Sequence, residues 1–235
     1  MGLLIGTVGV GGVLMIAYLA LFSSLTIHQA AATSLLSFLF TGVLGTWAYQ
    51  QRGSIDWRIT MPVCLAAVAA AFLGACVAAL VDPRPLAIAI ALLIVAAGAY
   101  VLYPVRLDAP RRDGRAPRER ALLALVGGVS GFGSGFSGAG GPLFAVPIMM
   151  ILRYVPLTAV ATSQVLVIVA SVSGSIPNIR NGFVDWQVAA IISLCQVLGA
   201  LAGVRLAHVA SGRALRRLAA GLCIVSGALL LARSL

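Results

Sequence analysis

Two glycine clusters and two hydroxyl pairs are the residues in this chain best suited to do chemistry. Gly9, Gly11 and Gly12 recur as Gly138, Gly140 and Gly141. Ala32-Thr33-Ser34 recurs as Ala161-Thr162-Ser163, followed by Gln164. Every match lies 129 residues along the chain. A helix that begins inside an apolar segment presents unpaired backbone N–H groups and the positive end of its dipole. Two such starts at matching positions favour an anion, and glycine lets the backbone come close to it. The competing reading is tight helix packing through small residues, which suffices for Gly199 and Gly203. At the two clusters the recurrence favours binding. The hydroxyls of Thr33, Ser34, Thr162 and Ser163 and the amide of Gln164 could donate to an oxyanion. Such hydroxyls also bond back to their own helix carbonyls.

Other polar residues carry less. Asp56 and Asp185 each precede a tryptophan at the start of an apolar segment. That placement suits a helix N-cap and an interfacial ring. His28 has no mate, since Leu157 holds the matching position, and His208 lies near a segment end. Asn178 and Asn181 flank Arg180 in a predicted loop. The four cysteines, Cys64, Cys76, Cys195 and Cys223, stand singly in apolar runs and read as small fillers. No Ser/His/Asp set, carboxylate pair or Cys/His cluster is visible in the sequence. An enzyme, a metal site and a cofactor are therefore not expected.

Positioning these residues is the work of an apolar chain. Of 235 residues, 61% are hydrophobic and 9% charged, against about 25% charged in soluble domains. Mean hydropathy is +1.07. So little polar surface cannot cover a water-soluble globule, which excludes a cytosolic enzyme. The formal charge of +10 does not make a nucleic-acid-binding face. All 16 basic residues are arginine, and nine of the 22 charged residues fall between Arg106 and Arg120. That is a cytoplasmic loop between hydrophobic blocks. The expected fold is an all-α integral membrane protein, a single transmembrane domain over 1–235 solvated by lipid. The start of the chain has no basic region of the signal-peptide kind.

The 129-residue offset also aligns Gly53-Ser-Ile-Asp56-Trp57 with Gly182-Phe-Val-Asp185-Trp186, Gly74 with Gly203, Arg84 with Arg213 and Gly98 with Gly227. The chain is therefore a duplication: repeat 1 at 1–106, a linker at 104–120, and repeat 2 at 121–235, matched from 130 onward. Each repeat holds four hydrophobic segments: 2–22, 29–50, 59–80 and 86–103, then 121–152, 157–178, 187–209 and 214–232. The fifth is cut by the glycine-rich run from Ser130 to Pro142, which should not stay helical throughout. Segments one and five are read as broken or re-entrant. With eight full spans, and Arg205 set aside inside a segment, the nine other arginines outside the linker divide four against five, which shows no bias. With segments one and five as hairpins, twelve arginines share the linker's side, and Arg84, Arg180 and Arg233 oppose them. The positive-inside rule favours the hairpins, hence inverted repeats with a cytoplasmic linker and external termini. Inverted repeats with interrupted helices point to a secondary transporter.

Gly9-Val-Gly11-Gly12 with Ala32-Thr33-Ser34, and Gly138-Ala-Gly140-Gly141-Pro142 with Ala161-Thr162-Ser163, resemble the TauE/SafE family of sulfite and organosulfur-anion exporters. The likeness extends to the Gly-x-x-Asp-Trp element of each half. It implies a permease of the bacterial inner membrane, multi-pass, that exports small sulfur-containing anions such as sulfite or sulfonates by alternating access. A proton or sodium ion is the candidate coupling partner. The resemblance places Gly11, Gly12, Thr33, Ser34, Gly138, Gly140, Gly141, Thr162 and Ser163 along the substrate path, and the residue reading adds Gln164 as a substrate-binding candidate. The first repeat departs at Val13, where the second has Pro142. The alternatives are an anion-selective channel and a membrane assembly factor that transports nothing.

Overall fold

The computed structural model describes residues 11–102, 117–206, 221 and 224–232. The described chain is helical and contains no strand: α1 (Gly11–Phe22), α2 (Ile27–Gln51), α3 (Trp57–Leu80), α4 (Pro83–Leu102), α5 (Pro117–Ser137), α6 (Pro142–Ile151), α7 (Pro156–Arg180) and α8 (Trp186–Leu206), then helical residues 224–232. Three of these, α2, α3 and α7, are long and apolar enough to cross a membrane. The expected parts of segments one, four, seven and eight at 2–10, 103, 207–209, 214–220 and 222–223 lie outside the described residues, as does most of the linker. The last four linker residues, 117–120, are the first turn of α5 rather than loop. Proline at the first helical position and Glu119 beside the positive dipole end explain that start.

Helix boundaries keep the sequence offset. α2 and α7 begin at 27 and 156 and end at 51 and 180, and α3 and α8 begin at 57 and 186. The corners match as well. Gly53 and Gly182 adopt φ of 62° and 69°. At one corner the N–H groups of Gly53 and Ser54 donate to Gln50 and Tyr49. At the other, those of Gly182 and Phe183 donate to Ile179 and Asn178. Both are left-handed closures that satisfy the last carbonyls of a helix. Asp56 then caps α3 by accepting from Arg58 N–H at 2.9 Å, and Asp185 caps α8 by accepting from Val188 N–H at 3.0 Å. The N-cap reading of both aspartates is what the structure contains.

Glycine contacts give the helix directions. Methyl groups built on Gly127 and Gly135 would lie 2.0 Å from the Val63 and Ala71 carbonyl oxygens, and one on Gly131 would lie 2.7 Å from Ala67 Cα. The two series rise together, so α3 and α5 run parallel in near-backbone contact. Gly133 meets the Phe144 ring, and Ala145, Met149 and Tyr154 join Ile59, Val63 and Leu123 in one buried cluster. α6 therefore turns back toward the end from which α5 set out. α7 leaves from that same end, parallel to α3: Thr162 bonds Thr60 at 3.0 Å, and the Ser173 hydroxyl donates to Val68 O at 2.5 Å. α2 runs antiparallel to α7. Gly174 meets Leu35 and Gly45 meets Gln164, two contacts that exchange under the 129-residue offset. α8 runs parallel to α2, since Thr33 accepts from Asp185 N–H and Ser37 donates to Ala189 O.

Two ends follow from these directions. Arg52, Arg58, Arg118, Arg120 and Arg153 stand at the end where α3, α5 and α7 begin. Arg84 and Arg180 stand at the other.

Candidate functional site

The fifth hydrophobic segment breaks at Gly138 and Gly140, with φ of 71° and 80°. Non-glycine residues avoid this region. α5 is closed by Gly138 N–H donating to Ser134 O at 2.8 Å. Ser137 donates to Gly133 O at 2.6 Å and accepts from Ala139 N–H at 3.2 Å. α6 opens with Gly141 O accepting from Phe144 and Ala145 N–H. Between these closures the N–H groups of Gly140, Gly141 and Leu143 make no hydrogen bond among the described residues. Pro142 has no N–H to satisfy. Residues 137–141 are all buried.

The break lies along α2 and touches α7. A methyl on Gly138 would sit 2.3 Å from Ala31 O, one on Gly140 3.4 Å from the Phe38 ring, and one on Gly141 1.8 Å from Leu166 Cδ2. Ser34 occupies the turn of α2 between Ala31 and Phe38, three and four residues from them, and so shares their face. It is fully buried, and its hydroxyl has no partner among the described residues. Gly138, Gly140, Gly141 and Ser34 thus converge on unpaired donors at the positive end of α6.

The remaining sequence-selected residues have their own partners or positions among the described residues. Thr33 accepts from Asp185 N–H at 3.1 Å, tying α2 to the start of α8. Thr162 is buried against Thr60. Leu35 is level with Gly174, which puts Thr33 and Thr162 roughly 20 Å apart along the helices at 1.5 Å per residue. Ser163 bonds back to Val160 O at 2.7 Å, and Gln164 lies across Gly45. Gly11 and Gly12 are the first residues of α1, and Gly9 is outside the described residues. His28 places Nε2 3.1 Å from both Ala78 O and Val81 O, closing the end of α3, with its ring 5.0 Å from that of Phe183. Asn178 donates back to Gly174 O, and Asn181 follows the last residue of α7.

Sequence reasoning missed several buried polar groups: Ser130, Ser134, Ser171, Ser175, Thr46 and Gln196 all carry side-chain atoms without partners among the described residues. The i, i+4 spacing of the four serines in two helices was readable, but serine is too common in helices to single them out. At the end holding the linker, an open cleft of about 650 Å³ is lined by Arg52, Asp56, Trp57, Arg58, Leu157 and Thr158.

Comparison with known proteins follows the same line. The family described as Sulfite exporter TauE/SafE matches residues 1–230. The chain is 27% identical over 234 residues to the probable membrane transporter protein YunE of Bacillus subtilis, covering 88% of this chain and 84% of the relative. It is 25% identical to YdhB of the same organism, over 89% and 87% of the two chains. It is 28% identical to the probable membrane transporter protein ORF9 of a Sinorhizobium species, over 86% and 76%. No solved structure matches the chain. Apolar helices long enough to span a bilayer and a profile match over nearly its whole length lead to one assignment: the chain belongs to the sulfite exporter TauE/SafE family of membrane transporters.

Proposed function

We propose that the chain is a secondary transporter of the bacterial inner membrane that exports small sulfur-containing oxyanions, sulfite or sulfonates, by alternating access. The observation that carries this reading is the start of α6. Three main-chain N–H groups and the buried Ser34 hydroxyl, all without partners among the described residues, lie where the break packs along the Ala31–Phe38 stretch of α2. In a low-dielectric interior such donors hold an oxyanion far better than in water. They also carry no full charge that would trap it.

Two observations support inverted repeats with re-entrant hairpins. The first is the antiparallel α2–α7 pair, whose Gly45–Gln164 and Gly174–Leu35 contacts exchange under the repeat offset. The second is the arginines. Eight full spans would put Arg153 opposite the linker and Arg180 with it. Here α6 brings Arg153 back to the linker's end, and α7 carries Arg180 away. The linker end is then cytoplasmic. Single-cysteine labelling in intact cells, on a background without the native cysteines, checks this. Asn181→Cys should react from outside and Arg153→Cys only after permeabilisation. The opposite pattern contradicts the assignment.

The arginine cleft would raise the local concentration of anions at the cytoplasmic mouth. Replacing Arg52 and Arg58 together by glutamine should raise half-saturation at low ionic strength. The difference should shrink toward 0.5 M salt, roughly beyond the range of unscreened surface charge. An unchanged salt dependence removes the cleft from the path.

Thermal denaturation of purified protein with sulfite, thiosulfate, sulfonates and carboxylates tests the substrate class. A ligand at about 100 times its Kd adds about 2.7 kcal/mol. Stabilisation by carboxylates and not by sulfur oxyanions would overturn the substrate assignment. Flux into vesicles driven uphill by an imposed proton or sodium gradient separates a coupled transporter from a channel.

A further inference from the structure

Ser34 is one of five buried serine hydroxyls that have no partner among the described residues. Ser130, Ser134 and Ser171 are fully buried and Ser175 is 2% exposed, and none of their oxygens has a partner among the described residues. A helical serine always has an acceptor close by, the carbonyl one turn back. Ser23, Ser37, Ser137, Ser163 and Ser193 take that bond. The five in question do not.

Their positions agree. Ser130 and Ser134 are one turn apart on α5, on the side away from exposed Leu125 and Phe132. Ser171 and Ser175 are one turn apart on α7, on the face whose Gln164, Val167 and Ile168 meet α2. A methyl on Gly174 would lie 2.9 Å from Leu35 and 3.6 Å from Gly135 Cα. That contact joins the sequence neighbours of Ser175, Ser34 and Ser134. The zone therefore borders α2, α5 and α7 beside the break that precedes α6.

Hydroxyls buried in apolar surroundings without partners are costly to keep, and five in one zone call for a polar visitor. We propose that Ser34, Ser130, Ser134, Ser171 and Ser175 line a hydrated passage that conducts small oxyanions to and from the start of α6. The passage deepens the transporter reading and rests on it for its cargo. Neutral hydroxyls suit conduction, because they replace hydration while letting the ion leave.

The test is cysteine accessibility in reconstituted vesicles. Ser134→Cys, Ser171→Cys and Ser175→Cys are made singly on a background lacking the native cysteines, with monodisperse elution confirming folding. Ser37→Cys and Ser193→Cys, at buried serines that are already paired, serve as controls. An anionic methanethiosulfonate should modify the passage variants at least tenfold faster than the controls, and sulfite should slow that reaction. Rates equal to the controls overturn the passage. Fast modification that neither sulfite nor a sulfonate slows retains the passage but removes the substrate assignment, so the two readings fail separately. Transport measures the same point independently. A Ser171→Ala/Ser175→Ala double variant should lose at least tenfold in flux, and unchanged flux counts against the passage.

Discussion

Gly135→Val should leave no folded protein to assay. The added Cβ would lie 2.0 Å from the Ala71 carbonyl oxygen and 3.0 Å from Ala71 Cα. Overpacking against side chains costs about 1–3 kcal/mol because the neighbours can turn aside. Here the opposing atoms are main chain and cannot, so the whole α3–α5 seam must open. α5 also carries the break and the start of α6, so the site goes with it. Gly131→Val should behave alike, since its Cβ would meet the Ala67 backbone at 2.7 Å. Gly128 faces open space. Gly128→Ala should therefore keep or raise stability, as alanine is favoured by about 1 kcal/mol in a helix. Size-exclusion profiles of tagged protein in detergent check all three. A monodisperse Gly135→Val peak at normal yield would show that the seam is looser than described.

Ser34→Ala should fold and reach the membrane normally, yet lose affinity for its anion by about ten- to hundredfold, the equivalent of the 1.5–3 kcal/mol of a hydrogen bond to a charged group. The hydroxyl has no partner to abandon among the described residues, so its removal leaves none of them unsatisfied. Gly141→Val should act more severely. Its nearest neighbours are the Leu166 side chain, with Cδ2 at 1.8 Å and Cγ at 3.1 Å, rather than main chain, so a turn of that side chain should let the variant fold. The bulk then stands over the N–H groups of the α6 start, and flux should vanish. Initial rates in vesicles, with surface expression measured in parallel, distinguish these effects from misfolding.

Much of the architecture was legible because it is written twice. Asp56 and Asp185 were readable as caps from the Asp-Trp step, and the corners at Gly53 and Gly182 from their shared spacing. The break was readable because Gly140-Gly141-Pro142 is incompatible with a continuous helix. The hydroxyl pairs were less transparent. The Thr-Ser motif repeats, but an antiparallel α2–α7 pair sends Thr33 and Thr162 to opposite levels, where Asp185 and Thr60 occupy them. Of those four hydroxyls only Ser34 has no partner among the described residues, and periodicity cannot reveal that. The serines of α5 and α7 escaped for the same reason: whether a hydroxyl bonds back or points inward depends on neighbours that the sequence alone does not place.

Counterflow of labelled sulfite in vesicles, comparing the unmodified protein with Ser34→Ala, tests most directly the claim that the start of α6 and Ser34 hold the transported anion. The account predicts that sulfite trapped inside accelerates labelled entry through the unmodified protein. It also predicts that Ser34→Ala needs at least ten times more sulfite for half-maximal exchange. Saturable exchange with the same half-saturation in both proteins, or no exchange above empty vesicles, would contradict it.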